Sequence, residues 1–239
     1  MQRCVDNNIS RLFLPNVNFS SVPKIYQLVN DFPQTCFAML GLHPCDVKAD
    51  WESEINNITG TLTDGHLYSV HKVYAIGEIG IDLYWDKTSL AHQQQAFKKQ
   101  ICWAKELNLP IVIHCRNAFD EVYAILLEEG DDKLRGIFHC FSGTVQQAEQ
   151  IIALGFYLGI GGVVTYKNAG LDKVVQQIDL KHLVLETDSP YLTPVPHRGK
   201  PNESSYLTYI AQKVADLHKV EIAVVASITT ENSVKIFSV

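Results

Sequence analysis

Seven short apolar runs divide this chain, and none of them alternates cleanly between apolar and polar residues. They are "RLFLPNV" (11–17), "TCFAMLGLHP" (35–44), "KVYAIGEIGID" (72–82), "LPIVIHCR" (109–116), "RGIFHCFSG" (135–143), "FYLGIGG" (156–162) and "HLVLETDSP" (182–190). A strand that is apolar along its whole length is buried on both faces, the condition of a parallel sheet. Parallel neighbours need long crossover connections, and the stretches between the runs are helix-like. "AHQQQAFKKQICWAKELN" spaces Phe97, Ile101, Ala104 and Lys105 for one buried face. "AFDEVYAILLEEG" and "TVQQAEQIIALG" close on Gly130 and Gly155, each expected to cap a helix C-terminus. The last stretch, "LTYIAQKVADLHKVEIAVVASITTENSVKIF", reads as two closing helices. With 239 residues, 46% of them apolar, the chain can bury such a sheet as a single domain over 1–239. Repeated βα units of this kind mean a doubly wound sheet or a (β/α)8 barrel.

The polar residues distinguish these two architectures. Five of the seven runs finish in a reactive side chain: His43, then Glu78 and Asp82, then His114 and Arg116, then His139, then Asp188. A barrel gathers the C-terminal ends of all its strands at one mouth. A doubly wound sheet gathers only those near its switch point. So many strands ending in ligand-type groups favour the barrel. Two runs end in His-Cys, which raises the question of a Cys/His metal site. Adjacent strand residues face opposite ways. If His114 and His139 point into the mouth, Cys115 and Cys140 point to the helix layer as small buried hydrophobes. Glu78, His114, His139 and Asp188 then form a nitrogen and oxygen donor set suited to Zn²⁺, Mn²⁺ or Mg²⁺. Taken singly, each has a plainer reading: a strand-end histidine satisfied in the core, or an aspartate that opens a turn before Ser-Pro. The recurrence at equivalent places carries the metal reading.

Composition sets outer limits. Twenty basic and 26 acidic side chains leave a net charge of −6, which argues against general nucleic-acid coating but not against a local basic rim. No apolar run approaches the roughly 18 residues of a membrane span, and the opening "MQRCVDNNIS" lacks a signal peptide's apolar region. Six cysteines without CxxC spacing are expected as free thiols in a reducing, cytoplasmic compartment.

The segments "GLHP", "AIGEIGID", "LPIVIHCR", "HCFSG", "GFYLGIGG", "LETDSPYLTPVPHRGKPNE" and "TTENSVKIF" closely resemble the TatD family of metal-dependent deoxyribonucleases, collinearly from about Arg11 to the C-terminus. The resemblance implies a TIM barrel of the metal-dependent hydrolase type. It implies two divalent metal cations and cleavage of phosphodiester bonds in a DNA substrate, as a 3′-to-5′ exonuclease or repair nuclease. Carried onto this chain, Glu78 resembles the carboxylate that bridges the metals, and His114 and His139 the ligands of the second metal. Asp188 resembles the aspartate that contacts the first metal and serves as general base. His43 resembles a mouth-lining histidine near the scissile phosphate. Arg116, Lys167, His197 and Arg198 are candidates for a basic rim that holds substrate phosphates. Related barrels hydrolyse esters and amides, so removal of D-amino acids from tRNA is the alternative activity. A catalytically impaired barrel with a binding role is the non-enzymatic alternative.

The pattern departs from the family at its start. Members open on a first strand carrying His-x-His, which binds the first metal. Here none of the nine histidines lie two apart, and "MQRCVDNNISRLFLPNV" matches the end of the family's first helix and its second strand. The expectation is a barrel with its first strand missing and an incomplete first-metal site. A native start further upstream and a truly short chain both account for it. Of the remaining polar residues, Asp82 is expected to orient a ligand or loop. Glu203 is expected to pair with a basic residue and hold the last loop, Asp120 to bond Arg116 or open a helix, and Asn232 to be structural, as a cap of the final helix. Tyr84 and Trp85 either stack on a base at the mouth or cover the barrel top.

Overall fold

The computed structural model describes residues 1–63 and 72–239. These residues form two compact units, 11–136 and 1–10 with 137–239, each taken by itself. A short helix, α1 (Gln2–Asp6), opens the chain.

The unit of residues 11–136 runs β1 (Leu12–Leu14), α2 (Val22–Asp31), β2 (Cys36–Leu40), α3 (Trp51–Thr63), β3 (Val73–Asp82), α4 (Leu90–Glu106), β4 (Ile111–Arg116) and α5 (Phe119–Glu129). Every neighbouring strand pair is parallel, β1 with β2, β2 with β3 and β3 with β4. Strand alternation sorts the side chains. Leu14, Ala38, Leu40 and Val73 join Val22, Ile25 and Tyr26 of α2 and Ile55 and Ile58 of α3 in one apolar core. On the opposite face, Phe13 stacks on Phe37 and Phe37 meets Tyr74 edge to face across the three strands, with centroids 5.3 and 4.9 Å apart.

Helix α4 buries Phe97, Ile101 and Ala104 as its periodicity predicts. Lys105 does not join them. Its Nζ reaches the Glu129 carbonyl and pairs with the carboxylates of Glu129 and Asp131, the latter at 3.2 Å. A lysine at a helix margin keeps its head in polar company. The buried face is completed by two amides, Gln93 and Gln100, 2% and 1% exposed. Gly130 follows α5 with an extended ψ of 128° rather than a left-handed cap.

In the second unit, β5 (Gly136–Phe138) is followed by α6 (Val145–Ala153), β6 (Tyr157–Ile160), α7 (Leu171–Val175), β7 (Leu183–Leu185), α8 (Leu207–His218) and α9 (Ile222–Phe237). β6 lies between β5 and β7 and is parallel to both. Thr144 and Gln147 cap α6 reciprocally, and Gly155 turns left-handed after it at φ +80°. Asn232 is structural, but it is no cap: from within α9 its amide donates to the carbonyls of Leu180 and Leu183 (2.9 and 2.7 Å), pinning the helix to the entry of β7. Arg3 of α1 makes a two-pronged contact with Glu203, which also accepts from Ser205. Glu203 therefore finds the basic partner expected of it, though the loop it holds is joined to the chain's first helix. The described residues include all six cysteines and contain no disulfide. No described helix is long and apolar enough to cross a membrane.

Candidate metal centres

Within residues 11–136, His43, Glu78 and His114 offer ligand atoms that all lie within 4.8 Å of one another. Three different local devices bring them there. His43 lies beyond the end of β2, where the ladder is replaced by side-chain amides. Asn16 Oδ1 accepts from Gly41 N–H, and Gln100 brackets Leu42, accepting from its N–H at 2.6 Å and donating to its carbonyl at 3.2 Å. Glu78 sits at a bulge in β3, where the register steps from Gly77 opposite Val112 to Ile79 opposite Ile113. Such a step re-aims a side chain. His114 stays inside β4.

Hydrogen bonds fix which ring nitrogens face inward. Cys45 N–H donates to His43 Nδ1 at 3.1 Å, so a neutral His43 carries its proton on Nε2. That nitrogen lies 3.5 Å from Glu78 Oε2 and 3.3 Å from His114 Nδ1. His43 is thus arranged as a donor. His114 Nε2 meets Asp82 Oδ2 at 2.9 Å, which leaves the Nδ1 lone pair directed at the cluster, 3.9 Å from Glu78 Oε2. Asp82 has only 1% of its side chain exposed. Burial alone would raise its carboxyl, but the His114 hydrogen bond and the N–H groups of Tyr84 and Trp85 outweigh burial and hold it down at about 2. The carboxylate orients the histidine and raises its basicity as a ligand, the role expected of Asp82. Gln93 clamps Asp82 in turn, accepting from its N–H at 2.8 Å and donating to its carbonyl at 3.1 Å.

Within residues 137–239 the same device recurs with the opposite nitrogen. His139 Nδ1 meets Glu186 Oε2 at 3.0 Å, and Glu186 Oε1 accepts from Cys140 N–H at 2.6 Å. His139 Nε2 is left to face Asp188 Oδ1 at 3.5 Å. His139, Cys140 and Glu186 also share a 4.8 Å neighbourhood, so Cys140 does not turn away to a helix layer. β5 ends at Phe138, and Cys140 has left-handed φ (+50°), so strand alternation no longer applies to it. Cys115, inside β4, behaves as expected: burial pushes its thiol up to about 12 and keeps it protonated. Asp188 also lies past its strand, at φ +56°.

The expected phosphate-holding residues occupy three settings. Arg116 lies over the Tyr84 ring at 3.7 Å. Arg198 stacks on Tyr166 at 4.0 Å and donates to its hydroxyl at 2.5 Å; together with Lys167 they border a cavity of about 380 Å³. His197 stacks on Tyr206, centroids 4.3 Å apart, with Nε2 enclosed. Asp120 stands in the first turn of α5, where an acid suits the helix dipole. Sequence reasoning missed Glu186, Gln93 and Gln100. Glu186 stands two residues before Asp188, and that spacing was its only signal. The donors present, imidazole nitrogen and carboxylate oxygen with His114 and His139 each held by a carboxylate, fit a divalent cation.

Three comparisons place this geometry among known proteins. The sequence profile described as TatD related DNase matches residues 1–238. An uncharacterized metal-dependent hydrolase of Bacillus subtilis, YabD, is 38% identical over all of this chain and 91% of its own length. The 3′-5′ ssDNA/RNA exonuclease TatD of Escherichia fergusonii is 31% identical over 97% of this chain and 88% of its own. Among solved structures, the TatD homologue YjjV of Escherichia coli K12 superposes with a TM-score of 0.90 at 26% identity, over 100% of this chain and 90% of that one. A TatD-family hydrolase from Entamoeba histolytica gives 0.85 at 22% identity, over 99% and 87%, which is a likeness of fold.

Proposed function

The chain belongs to the TatD-related DNase family of metal-dependent hydrolases and has its α/β fold; from that premise we propose that it is a phosphodiesterase removing nucleotides from the 3′ end of single-stranded DNA. The observation that carries the reading is the pair of carboxylate-held histidines, His114 on Asp82 and His139 on Glu186, each presenting one ring nitrogen beside a further carboxylate. The exonuclease name of the Escherichia fergusonii relative supports the substrate.

In this reading Glu78, His114, His139 and Asp188 are metal ligands. Divalent cations, held by Glu78 and His114 in one unit and by His139 and Asp188 in the other, would supply Lewis-acid activation of water and neutralise charge developing on the phosphate. Asp188 takes the proton of the attacking water as general base. As oxygen adds to phosphorus, the bond to the 3′ oxygen breaks, and in this reading His43 Nε2–H gives that oxygen its proton. Glu78, beside His43, keeps the donor oriented. Arg116 and Arg198 hold substrate phosphates, with His197, stacked on Tyr206, beside Arg198 in sequence.

The test is a chelator-stripped chain given Mg²⁺, Mn²⁺ or Zn²⁺ and an end-labelled oligonucleotide. Mononucleotides should appear stepwise from the 3′ end only with metal, and Asp188→Asn should lower kcat by about a hundredfold or more. An intact oligonucleotide, alongside release of D-amino acids from tRNA, would overturn the phosphodiesterase reading in favour of an ester hydrolase.

A further inference from the structure

Tyr84, Trp85 and Arg116 stand on the loop after β3 and at the end of β4. Trp85 is the most exposed large apolar residue described, at 71%, and Tyr84 is 53% exposed. Side chains this exposed do not cover a core, which removes the expectation that they close the barrel top. Their backbone is nevertheless anchored. Asp82 Oδ1 accepts from the N–H of both Tyr84 and Trp85, at 2.9 and 3.3 Å, while its Oδ2 holds His114. One buried carboxylate therefore sets both the candidate metal ligand and the aromatic pair. The two rings meet edge to face, centroids 4.9 Å apart. The Arg116 guanidinium lies 3.7 Å from the Tyr84 centroid and 5.6 Å from that of Trp85. Stacking uses its flat face and leaves its in-plane N–H donors unused; no described carboxylate or carbonyl pairs with them. The loop's one acid, Asp86, is turned back into the loop, accepting from Thr88 N–H at 2.8 Å and Thr88 Oγ1 at 2.6 Å.

An exposed indole face beside an unpaired, stacked guanidinium meets the two chemistries of a single-stranded nucleotide, a π-faced base and a phosphate. Duplex DNA hides its base faces; a single strand offers them. The geometry points to a nucleotide clamp: one unpaired base stacks on Trp85, and the phosphate next to it bonds Arg116. The clamp rests on the phosphodiesterase reading and narrows it to single strands that keep a base at this position.

The test uses the metal-loaded full chain and two phosphorothioate oligomers of equal length that resist cleavage, one oligothymidylate and one abasic. The base-bearing oligomer should bind more tightly and quench tryptophan fluorescence. Trp85→Ala should weaken its binding about tenfold, to the level of the abasic oligomer, and leave abasic binding unchanged. Trp85→Phe should keep the preference. Arg116→Gln should weaken both oligomers alike and flatten the salt dependence. Equal binding of the two oligomers by the wild type, or a full base preference in Trp85→Ala, overturns the clamp. If the wild type still degrades ordinary DNA in that case, the phosphodiesterase reading stands without it. If the wild type neither binds nor cleaves any oligonucleotide, both fall.

Discussion

At the scale of single residues, the two histidines differ in which nitrogen they present, and a carboxylate makes the choice in each case. Asp82 takes Nε2 of His114, while Glu186 takes Nδ1 of His139. Removing such a partner leaves the ligand in place but frees its ring to rotate and change tautomer. Glu186→Ala should therefore weaken binding of Mn²⁺ or Zn²⁺ by about ten- to hundredfold without unfolding the chain. Titration calorimetry reads this directly, with circular dichroism to check the fold. Gly159 gives an independent route to the same result. A Cβ built there would lie 2.5 Å from Glu186 Oε2, so the bare backbone is what lets the carboxylate reach His139. Gly159→Ala should reproduce the metal defect of Glu186→Ala while touching no proposed ligand. Wild-type affinity in both variants would show that Glu186 positions nothing.

At the scale of elements, helix α4 acts as the rear support of the first cluster. Gln93 and Gln100 lie seven residues apart on its buried face, and each brackets the backbone N–H and carbonyl of one residue of a site-bearing segment, Asp82 and Leu42. Gln100→Leu keeps the volume and orphans a buried N–H and a buried carbonyl. At about 1–3 kcal/mol for each stranded group, the cost should be about 3 kcal/mol, a fall in Tm on the order of 5–10 °C by calorimetry. A change of less than about 1 °C would mean that the Leu42 peptide finds other partners. The same helix shows what the sequence made legible. Periodicity alone located it and placed Phe97, Ile101 and Ala104 inward, because apolar side chains declare their own burial. It set Lys105 inward as well and passed over the glutamines, since a glutamine on a helix reads as solvated unless the loop it serves is known. The strands follow the same rule. Apolar runs revealed the seven described strands, but the ends of β2 and β3 depend on Asn16, Gln93 and Gln100, which meet them only in three dimensions. Cys140 was misplaced for a related reason: alternation was carried past Phe138, where the strand had already ended.

At the scale of the whole chain, Arg3 and Glu203 are joined across 200 positions, and that pair docks α1 against the turn that precedes α8. Arg3 is 74% exposed, so the pair contributes little to global stability and is screened by salt. Its effect is local and depends on pH. The Arg3 hydrogen bond, helped by Ser205, holds the Glu203 carboxyl below its ordinary value. A carboxyl depressed in the folded state stabilises fully above the unfolded value, near 4.3, and loses that contribution as pH falls through the lower folded value. The docking of α1 should accordingly be intact at neutral pH and loosen only in acid, below the ordinary carboxylate range. Carbon-detected NMR of the Glu203 side chain should give a midpoint below that of a free glutamate, and Arg3→Ala should raise it toward the ordinary value. In the same titration, the amide shifts of Cys4 to Asp6 should move with the Glu203 midpoint in the wild type and lose that inflection in Arg3→Ala. A Glu203 midpoint unmoved by the substitution would assign the depression to Ser205 and leave α1 held by the burial of Cys4 alone.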